Sequence, residues 1–267
     1  MQRKIVYYLL VILFPFFIVS CMKDDVNVNA ARLRVKLTDA PSDVFLEFHI
    51  DIKRIEILHT TLHDSLNEKW TVLDFKGIEQ DVIPLSNGKS KQIIDQYFPA
   101  GNIRQVKIVF GTNNFLKTAE GTMEIIVPKE VEEGVIVDAD INLYSHVITY
   151  LMIDIDAMQS VYKQNGVYML KPVIRVFSET YGGALKGYVT PIEAKPRVII
   201  IKNKDTLLTI PESNGMFLFR GLHEGVWEIK VIPSFSSGYQ DTVFTDTIFT
   251  GIVREIKDKI ELKKIGE

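Results

Sequence analysis

The sequence predicts an all-β protein with two antiparallel β-sandwich domains behind a short leader segment. Three observations carry this prediction. From Leu33 onward apolar and polar residues alternate with a period of two, turn residues separate the short extended runs, and no strand alternates with a long helix. Many short strands of this kind are typical of sandwiches and barrels. A doubly wound α/β enzyme is therefore not expected.

The strands can be followed in order along the first half of the chain. In the run that begins at Phe48 the apolar parity switches at Lys53-Arg54, which predicts a β-bulge. Asn165-Gly166 predicts a two-residue hairpin turn. Two short helical segments are expected, at residues 90–98, before Pro99, and at residues 157–162. The alternating runs lie at residues 33–37, 48–57, 106–110, 123–127, 135–141, 151–155 and 167–177.

The composition excludes several classes of protein. The 267 residues contain 31 Lys and Arg against 34 Asp and Glu, which gives a net charge of −3, and a single cysteine. Without a basic excess no nucleic-acid partner is expected, and one cysteine excludes an intramolecular disulfide and a cysteine-rich zinc module. No nucleophile-elbow, P-loop or dinucleotide-binding motif occurs, so we predict no catalytic residue, no metal site and no cofactor.

The N-terminus is typical of a targeting segment. Arg3 and Lys4 precede an uncharged run over residues 5–19, which is shorter than the roughly 20 residues that span a bilayer. Ile18-Val19-Ser20-Cys21 resembles the lipobox of bacterial lipoproteins. This resemblance implies cleavage between Ser20 and Cys21, removal of residues 1–20 and lipidation of Cys21, so that the membrane is a partner through the lipid. The alternative is an uncleaved anchor helix with an incidental cysteine.

The residues after Cys21 bear on the location of the protein. Lys23, Asp24 and Asp25 resemble the surface-export signal of Bacteroidota lipoproteins, which implies an outer-membrane protein exposed at the cell surface. The alternatives are a location on the periplasmic face, or a solvated polar segment with no signal in it. Residues 21–31 lack a hydrophobic period and are interpreted as a lipidated flexible tether.

Residues 32–178 are predicted to form the first domain. Leu37-Thr38-Asp39-Ala40-Pro41 and Lys171-Pro172-Val173-Ile174-Arg175-Val176 resemble recurring pieces of a family of bacterial lipoprotein domains of unknown function. The resemblance implies a fold and a surface location but no activity. Tyr181-Gly182-Gly183 is interpreted as the joint to the second domain, because paired glycines loosen the chain.

Residues 183–267 are predicted to form the second domain. Leu185-Lys186-Gly187-Tyr188-Val189 and the segment 214–227, from Asn214-Gly215 to Trp227, resemble the carboxypeptidase regulatory-like domains, which are prealbumin-type sandwiches. Such domains resemble spacers and carbohydrate- or protein-contacting modules without catalytic residues of their own.

Three aspartates are the candidate binding or metal residues. Asp154 and Asp156 share one face of a strand, about 7 Å apart, so they form either a metal or acid pair or a structural pair with Arg175 or Lys171, which is the favoured interpretation. Thr38-Asp39-Ala40-Pro41 is predicted to form a turn, and Asp39 is interpreted as a structural residue whose carboxylate bonds to its own backbone two residues on.

Two further groups are candidate metal ligands. Asp138, Asp140 and Asn142 resemble the start of a calcium loop, but Leu and Thr stand where that loop needs Gly and Glu, so a solvated strand face is expected. His59 and His63 have helical metal-ligand spacing, with Asp64 beside them, yet they flank a loop between strands.

The functional prediction is a non-catalytic, lipid-anchored cell-envelope protein with a binding or assembly role at the outer membrane. The alternative is a glycan-binding component of a polysaccharide uptake system, so the partner is a glycan or another envelope protein. A hydrolase that uses Asp154 and Asp156 is the weakest hypothesis. Five aromatic residues at strand ends or in loops are either sugar-stacking residues or core residues. They are Trp70, Tyr97, Phe98, Trp227 and Tyr239.

Overall fold

The computed structural model describes residues 30–40, 42, 44–62, 64–180 and 182–266. The predictions for the leader and the tether, including those for Ser20, Cys21, Lys23, Asp24 and Asp25, lie outside the described residues. The same holds for His63. Within the described part of the chain no helix is long and apolar enough to cross a membrane.

The N-terminal sandwich consists of two facing sheets. The first sheet has four strands in the order β13-β10-β1-β5, and the second has nine, with β2 paired to several neighbours. The strands are β1 (Ala30–Ala40), β2 (Glu47–Thr61), β3 (Asp64–Val72), β4 (Ile78–Asp81), β5 (Lys91–Pro99), β6 (Gly101–Phe110), β7 (Phe115–Thr118), β8 (Gly121–Ile126), β9 (Val135–Leu143), β10 (Ile148–Asp156), β11 (Val161–Gln164), β12 (Val167–Leu170) and β13 (Ile174–Ser178). A 3-10 helix at Ile83–Leu85 and a single helical turn, α1 (Lys129–Glu132), connect strands.

The alternation of the sequence explains how this sandwich is held together. In β1 the residues Leu33, Val35 and Leu37 are fully buried, and Phe48 and Ile50 of β2 face them from the second sheet. Burial of a large aliphatic or aromatic side chain stabilises a fold by roughly 1.5–3 kcal/mol. The two rows of alternating apolar residues therefore account for the contact between the sheets.

The C-terminal sandwich contains two four-stranded sheets. One has the order β17-β14-β20 with β21 also paired to β14, and the other has the order β16-β15-β18-β19. Its core includes Leu185, Phe217, Trp227 and Ile229 and is separate from the N-terminal core. The strands are β14 (Gly183–Thr190), β15 (Arg197–Lys202), β16 (Asp205–Thr209), β17 (Met216–Leu222), β18 (Gly225–Ile232), β19 (Thr242–Ile248), β20 (Val253–Glu255) and β21 (Ile260–Glu261), with 3-10 helices at Ile192–Ala194 and Phe235–Ser237.

The prediction of an all-β sandwich fold is confirmed. Most strand pairs are antiparallel, but four pairs among the described residues are parallel: β1 with β10, β8 with β12, and β14 with both β20 and β21. Local alternation does not distinguish parallel from antiparallel neighbours, because both place side chains on the two faces with the same period.

Two local predictions are confirmed by the backbone. The register of β2 with β6 shifts between Ile52 and Arg54, which is the β-bulge expected at the parity switch. Asn165 and Gly166 connect β11 to β12 with φ of 51° and 85°. Positive φ at both positions is the geometry of a type I′ turn, which suits the right-handed twist of a hairpin.

Both predicted helices are wrong, at least in part. Residues 91–99 form strand β5, and its period of two is masked because Gln96 lies opposite buried Leu33, between the core positions Ile94 and Phe98. Residues 157–160 form a turn, but Val161 already begins β11. Asp156 closes that turn by accepting from the backbone N–H of Gln159 at 2.9 Å.

Candidate functional site

The outer face of the first sheet leads to the candidate site. Outward side chains of β5, β1, β10 and β13 form four rows across the strands, starting at the end where β1 begins. The first two rows are open to solvent, whereas the last two lie against the C-terminal sandwich. The rows are Tyr97, Arg32 and Ile148; Asp95, Arg34 and Tyr150; Lys36, Met152 and Phe177; and Thr38, Asp154 and Arg175.

The contact between the two sandwiches is centred on Phe177. Its ring lies against Gly221, where a Cβ atom would overlap the ring carbons. Beside it, Glu179 accepts from Lys36 Nζ at 2.8 Å and from Arg220 of β17. One carboxylate thus joins a cation from each sandwich, and the backbone of β17 is held close to the face of the first sheet.

Asn87 forms a second connection. It has a φ of 53° in the loop before β5. Its Nδ2 donates to the carbonyl of Ile210 at 2.9 Å, and its Oδ1 accepts from Thr209 Oγ1 at 3.0 Å. The hydroxyl of Thr38 lies 2.8 Å from the carbonyl oxygen of Leu85, so β1 supports this loop. The Thr of the Leu-Thr-Asp-Ala-Pro segment therefore positions an inter-sandwich contact.

A cavity of about 500 Å³ remains between the two sandwiches next to these contacts. This volume falls in the range of small-molecule sites, roughly 300–1,000 Å³. Three candidate residues, Asp39, Asp154 and Asp156, all line it. The C-terminal sandwich contributes polar groups of its own, among them Arg220 and His223.

Asp154 is paired as the strand interpretation predicts. Arg175 on the neighbouring strand donates to Asp154 Oδ2 through Nε at 3.0 Å and also through an Nη atom. The Asp154 side chain is 10% exposed and the Arg175 side chain 35%. Hydrogen bonds between a guanidinium and a carboxylate are stronger than those between neutral groups, so the pair fixes the orientation of both side chains in the cavity wall.

The other two aspartates bond to backbone. Asp39 is buried, and its Oδ1 accepts from the backbone N–H of Ala157 at 3.0 Å, 118 residues along the chain. The predicted local turn is wrong at this point, because residues 38–40 continue β1. This bond joins the end of β1 to the turn that follows β10. Asp156 holds the same turn through Gln159, whose Nε2 donates to Asp156 Oδ2 at 2.7 Å. Both carboxylates therefore shape the cavity wall through the turn at residues 157–160.

The remaining candidate ligands have structural partners. Asn102 donates to Asp140 at 2.9 Å and to Asn142 at 3.0 Å, and Gln105 donates to Asp138 at 2.8 Å. These bonds run between neighbouring strands β6 and β9, as expected for a strand face. Among the described residues, no three His, Cys, Asp or Glu side chains are placed to hold a metal ion.

His59 lies inside β2 and is buried. Its Nε2 lies 3.0 Å from Thr71 Oγ1, and its ring packs edge-on against Phe98 at 4.6 Å between ring centroids. Burial lowers the pKa of His59, and the charge of Lys69 lowers it further, against a hydrogen bond with the backbone of Thr60 that raises it. His59 is therefore a core residue, with its imidazole packed on the ring of Phe98.

The five aromatic candidates divide by exposure. Tyr97 is 63% exposed and Trp70 is 36% exposed, whereas Phe98 and Trp227 are buried in the two cores. Tyr239 is partly buried against the C-terminal core. Only Tyr97 and Trp70 of this set present a ring to solvent.

Sequence reasoning missed Asn87, Glu179 and Arg220, which connect the sandwiches. Asn87 has a local signal, since Ser86-Asn87-Gly88 is a turn sequence, but nothing local indicates its partners. Their partners lie between 41 and 143 residues away in the chain.

Comparisons with known proteins identify one family and several distant structures. The model of a family described as "Domain of unknown function (DUF4382)" matches residues 30–172. No curated protein matches the chain.

Solved structures similar to the chain have 9–12% identity. The TIE protein of Bacillus anthracis has a TM-score of 0.26 at 12% identity, over 92% of this chain and 42% of its own length. The minor pilin GBS52 of Streptococcus agalactiae has 0.24 at 11%, over 88% and 97%. A candidate adhesin of Bacteroides ovatus has 0.22 at 11%, over 93% and 98%. With TM-scores this far below 0.5, none of these likenesses supports a functional argument.

Proposed function

We propose that this chain, which belongs to the DUF4382 family of domains of unknown function, is a non-catalytic, lipid-anchored protein of the bacterial cell envelope with a binding or assembly role at the outer membrane. The observation that carries this proposal is that the three candidate carboxylates all hydrogen-bond to groups of the fold. Asp39 and Asp156 hold the turn at residues 157–160, and Asp154 is paired with Arg175. Each of the three carboxylates therefore has a structural partner and helps to fix the shape of the cavity wall.

The N-terminal sequence supports the anchor. The lipobox-like Ile18-Val19-Ser20-Cys21 places the cysteine nine residues before Ala30, the first residue of β1. Several acyl chains on one cysteine give stable membrane attachment, because each buried methylene contributes roughly 0.8 kcal/mol. Lys23, Asp24 and Asp25 support export to the cell surface, with the periplasmic face as the alternative.

The C-terminal sandwich fits the role of a prealbumin-like module of the carboxypeptidase regulatory-like type. Asn214 Oδ1 accepts from the N–H of Met216 at 2.8 Å, and Gly215 has a φ of 83°, so Asn214-Gly215 forms the turn into β17. Trp227 stands in the core where such modules carry an aromatic residue, and its Nε1 donates to the carbonyl of His223 at 2.8 Å.

Labelling of cells with an alkyne fatty acid tests the anchor. We expect the wild-type protein to be labelled and to sediment with the outer membrane, and Cys21→Ala to lose both properties. Met22→Ala, which changes the adjacent residue and keeps the thiol, is the matched control. Labelling that persists in Cys21→Ala contradicts the proposal. Protease treatment of intact cells then separates the surface from the periplasmic face.

The cavity favours a second candidate function, glycan binding within a polysaccharide uptake system. Its wall combines the Asp154–Arg175 pair, the amide of Gln159 and the ring of Phe177. Fixed donors and acceptors beside an aromatic ring suit a hydroxyl-rich ligand.

A glycan array, followed by titration of any oligosaccharide that binds, tests this candidate. We expect Gln159→Ala to weaken binding about two- to tenfold, since one hydrogen bond is worth roughly 0.5–1.5 kcal/mol. Gln164→Ala, an exposed glutamine on β11 outside the cavity lining, is the control. An array without a bound glycan, or equal losses in both variants, removes this candidate.

A further inference from the structure

We propose that the end of the N-terminal sandwich from which the tether leaves rests on the lipid bilayer that holds the anchor. The contact is made by five exposed side chains around Ala30, here called the tether rim. This inference rests on the proposed lipid anchor. The rim consists of Leu62, Tyr97, Tyr144, Val147 and Ile148.

Backbone hydrogen bonds bring three chain segments together at this end. The carbonyl of Ala30 accepts from the N–H of His146 at 2.9 Å, and the N–H of Arg32 donates to the carbonyl of Val147 at 3.0 Å. On the other side Ala30 is opposite Pro99 in β5, and the N–H of Leu62 donates to the carbonyl of Ala100 at 3.0 Å. The β2–β3 connection, the β5–β6 connection and the β9–β10 connection thus surround the first residue of β1.

The side chains that these segments present are large, apolar or aromatic, and exposed. Leu62 is 62% exposed and Tyr97 63%, and Tyr144, Val147 and Ile148 are between 38% and 48% exposed. Scattered exposed apolar residues are ordinary, but a cluster of them indicates an interaction surface. Here five of them surround the point where the chain enters the fold.

The rim is held in place by the fold. The turn at residues 144–147 is closed by the N–H of Val147 on the carbonyl of Tyr144 at 3.1 Å, and Tyr97 and Ile148 lie in β5 and β10 on either side of Arg32. A surface that is already ordered loses little conformational freedom when it binds.

The length of the tether identifies the membrane as the occupant. Nine residue steps separate Cys21 from Ala30, which reach about 30 Å at full extension. Ala30, which the rim surrounds, is the first described residue after the anchor. The anchor therefore keeps the rim at a high effective concentration beside the bilayer. A weak apolar contact suffices under that condition.

The order of residues behind the rim suits a lipid interface. The guanidinium carbon of Arg32 lies 5.7 Å from the centre of the Tyr97 ring, and Asp95 and Arg34 form the next row, about 7 Å further from the rim. Tyrosines are enriched where hydrocarbon meets headgroups, and charged groups lie on the water side. The rim and the row behind it follow the same order.

The test uses the full-length lipidated protein in vesicles of phosphatidylethanolamine and phosphatidylglycerol with brominated acyl chains. Cys21 carries lipid in this protein, so an introduced cysteine is the only free thiol. Val147→Cys and, as a matched control, Val243→Cys in β19 are labelled with an environment-sensitive dye. Both valines are exposed, at 41% and 55%. We expect the dye at position 147 to be quenched at least about threefold more by the brominated lipid, and less by aqueous iodide, than the dye at position 243.

The outcomes separate this inference from the proposed function. Vesicle flotation is measured first, and a protein that does not float contradicts the lipid anchor and with it the tether rim. A protein that floats while iodide quenches both dyes equally keeps the anchor and overturns the rim contact. A dye at position 147 that is shielded from iodide but not quenched by the lipid indicates a protein contact, which also overturns the assignment to lipid.

Discussion

The outer face of the first sheet has a covered half and an open half, and the same strands supply both. The covered half carries Thr38 and Asp154, which are buried at 9% and 7% exposure although they are polar. The open half carries Tyr97 at 63% exposure although it is aromatic. Both sets point outward by the same alternation along β1, β5 and β10.

The difference shows that alternation assigns a side chain to a face but does not say what covers that face. In the covered half the second sandwich and the loop before β5 lie over the face, so Asp154 is paired with Arg175 and Thr38 with the carbonyl groups of Leu85 and Lys89. In the open half water takes that place. Experiments on matched residues of the two halves can break or sharpen this distinction.

The largest expected effect comes from adding a side-chain atom at the contact between Gly221 and Phe177, where the second sandwich packs on the first sheet. Gly221→Ala places a Cβ against the ring of Phe177 at a φ of 66°, and we expect the free energy of unfolding to fall by about 3 kcal/mol, measured in urea. Gly166→Ala is the control, because Gly166 also has a positive φ but has open space around it. We expect it to lose about 1 kcal/mol from backbone strain alone. Equal losses would show that the contact with Phe177 does not matter.

The next effect concerns the end of β1, where the covered half meets the turn after β10. Asp39→Ala leaves the N–H of Ala157 without its carboxylate acceptor in a buried place. We expect a loss of about 2 kcal/mol and a lower melting temperature. Asp39→Asn keeps an acceptor oxygen and should lose less. An unchanged melting temperature combined with altered ligand binding would make Asp39 a binding residue.

Ion pairs in the two halves should differ in strength. A double-mutant cycle on Asp154 and Arg175 should give a coupling free energy of about 1–2 kcal/mol, because the Asp154 side chain is only 10% exposed. The same cycle on Asp95 and Arg32, whose side chains are 23% and 39% exposed, should give less than about 1 kcal/mol. A larger coupling in the open half would contradict the role of the covering sandwich.

The smallest effect is a pH dependence in the open half. The hydrogen bond from Arg32, with a second from Arg34, lowers the pKa of Asp95. A depressed carboxylate stabilises the fold above its unfolded pKa, and this stabilisation is lost as the pH falls through the folded value. We expect Asp95→Asn to reduce the loss of stability between about pH 5 and about pH 2. Titration of the Asp95 carboxyl carbon by NMR should give a midpoint below about 3.9, and a midpoint above it would contradict the pairing.

Much of the N-terminal sandwich could be predicted because its information is local. The alternation in β1, β2 and β10, the bulge at Lys53-Arg54 and the Asn165-Gly166 turn depend only on neighbouring residues. Strand β5 escaped because a single polar residue, Gln96, lies on its inward face, where its Oε1 accepts from the N–H of Asp74 at 2.9 Å.

The candidate site was predictable only in part. The sequence suggests Asp154 with Arg175, since both lie on strands joined through a hairpin. It does not suggest that Asp39, Asp154 and Asp156 line one cavity, because the parallel pairing of β1 with β10 brings them together over more than 110 residues of chain. Asp51, on β2 of the other sheet, does not line this cavity, and its Oδ2 accepts from the N–H of Asn113.

The position of β1 has a mechanical consequence. β1 is an inner strand, with β10 on one side and β5 on the other, and the chain enters it at Ala30. Suppose that the tether pulls on Ala30 while another part of the protein is held by a partner. The tension then runs along β1 and loads its hydrogen bonds to β10 and to β5 in shear. Many of these bonds must break at the same time before β1 is released. Resistance to forced unfolding depends on the unfolding rate. The fold therefore resists a pull at Ala30, where the chain enters β1.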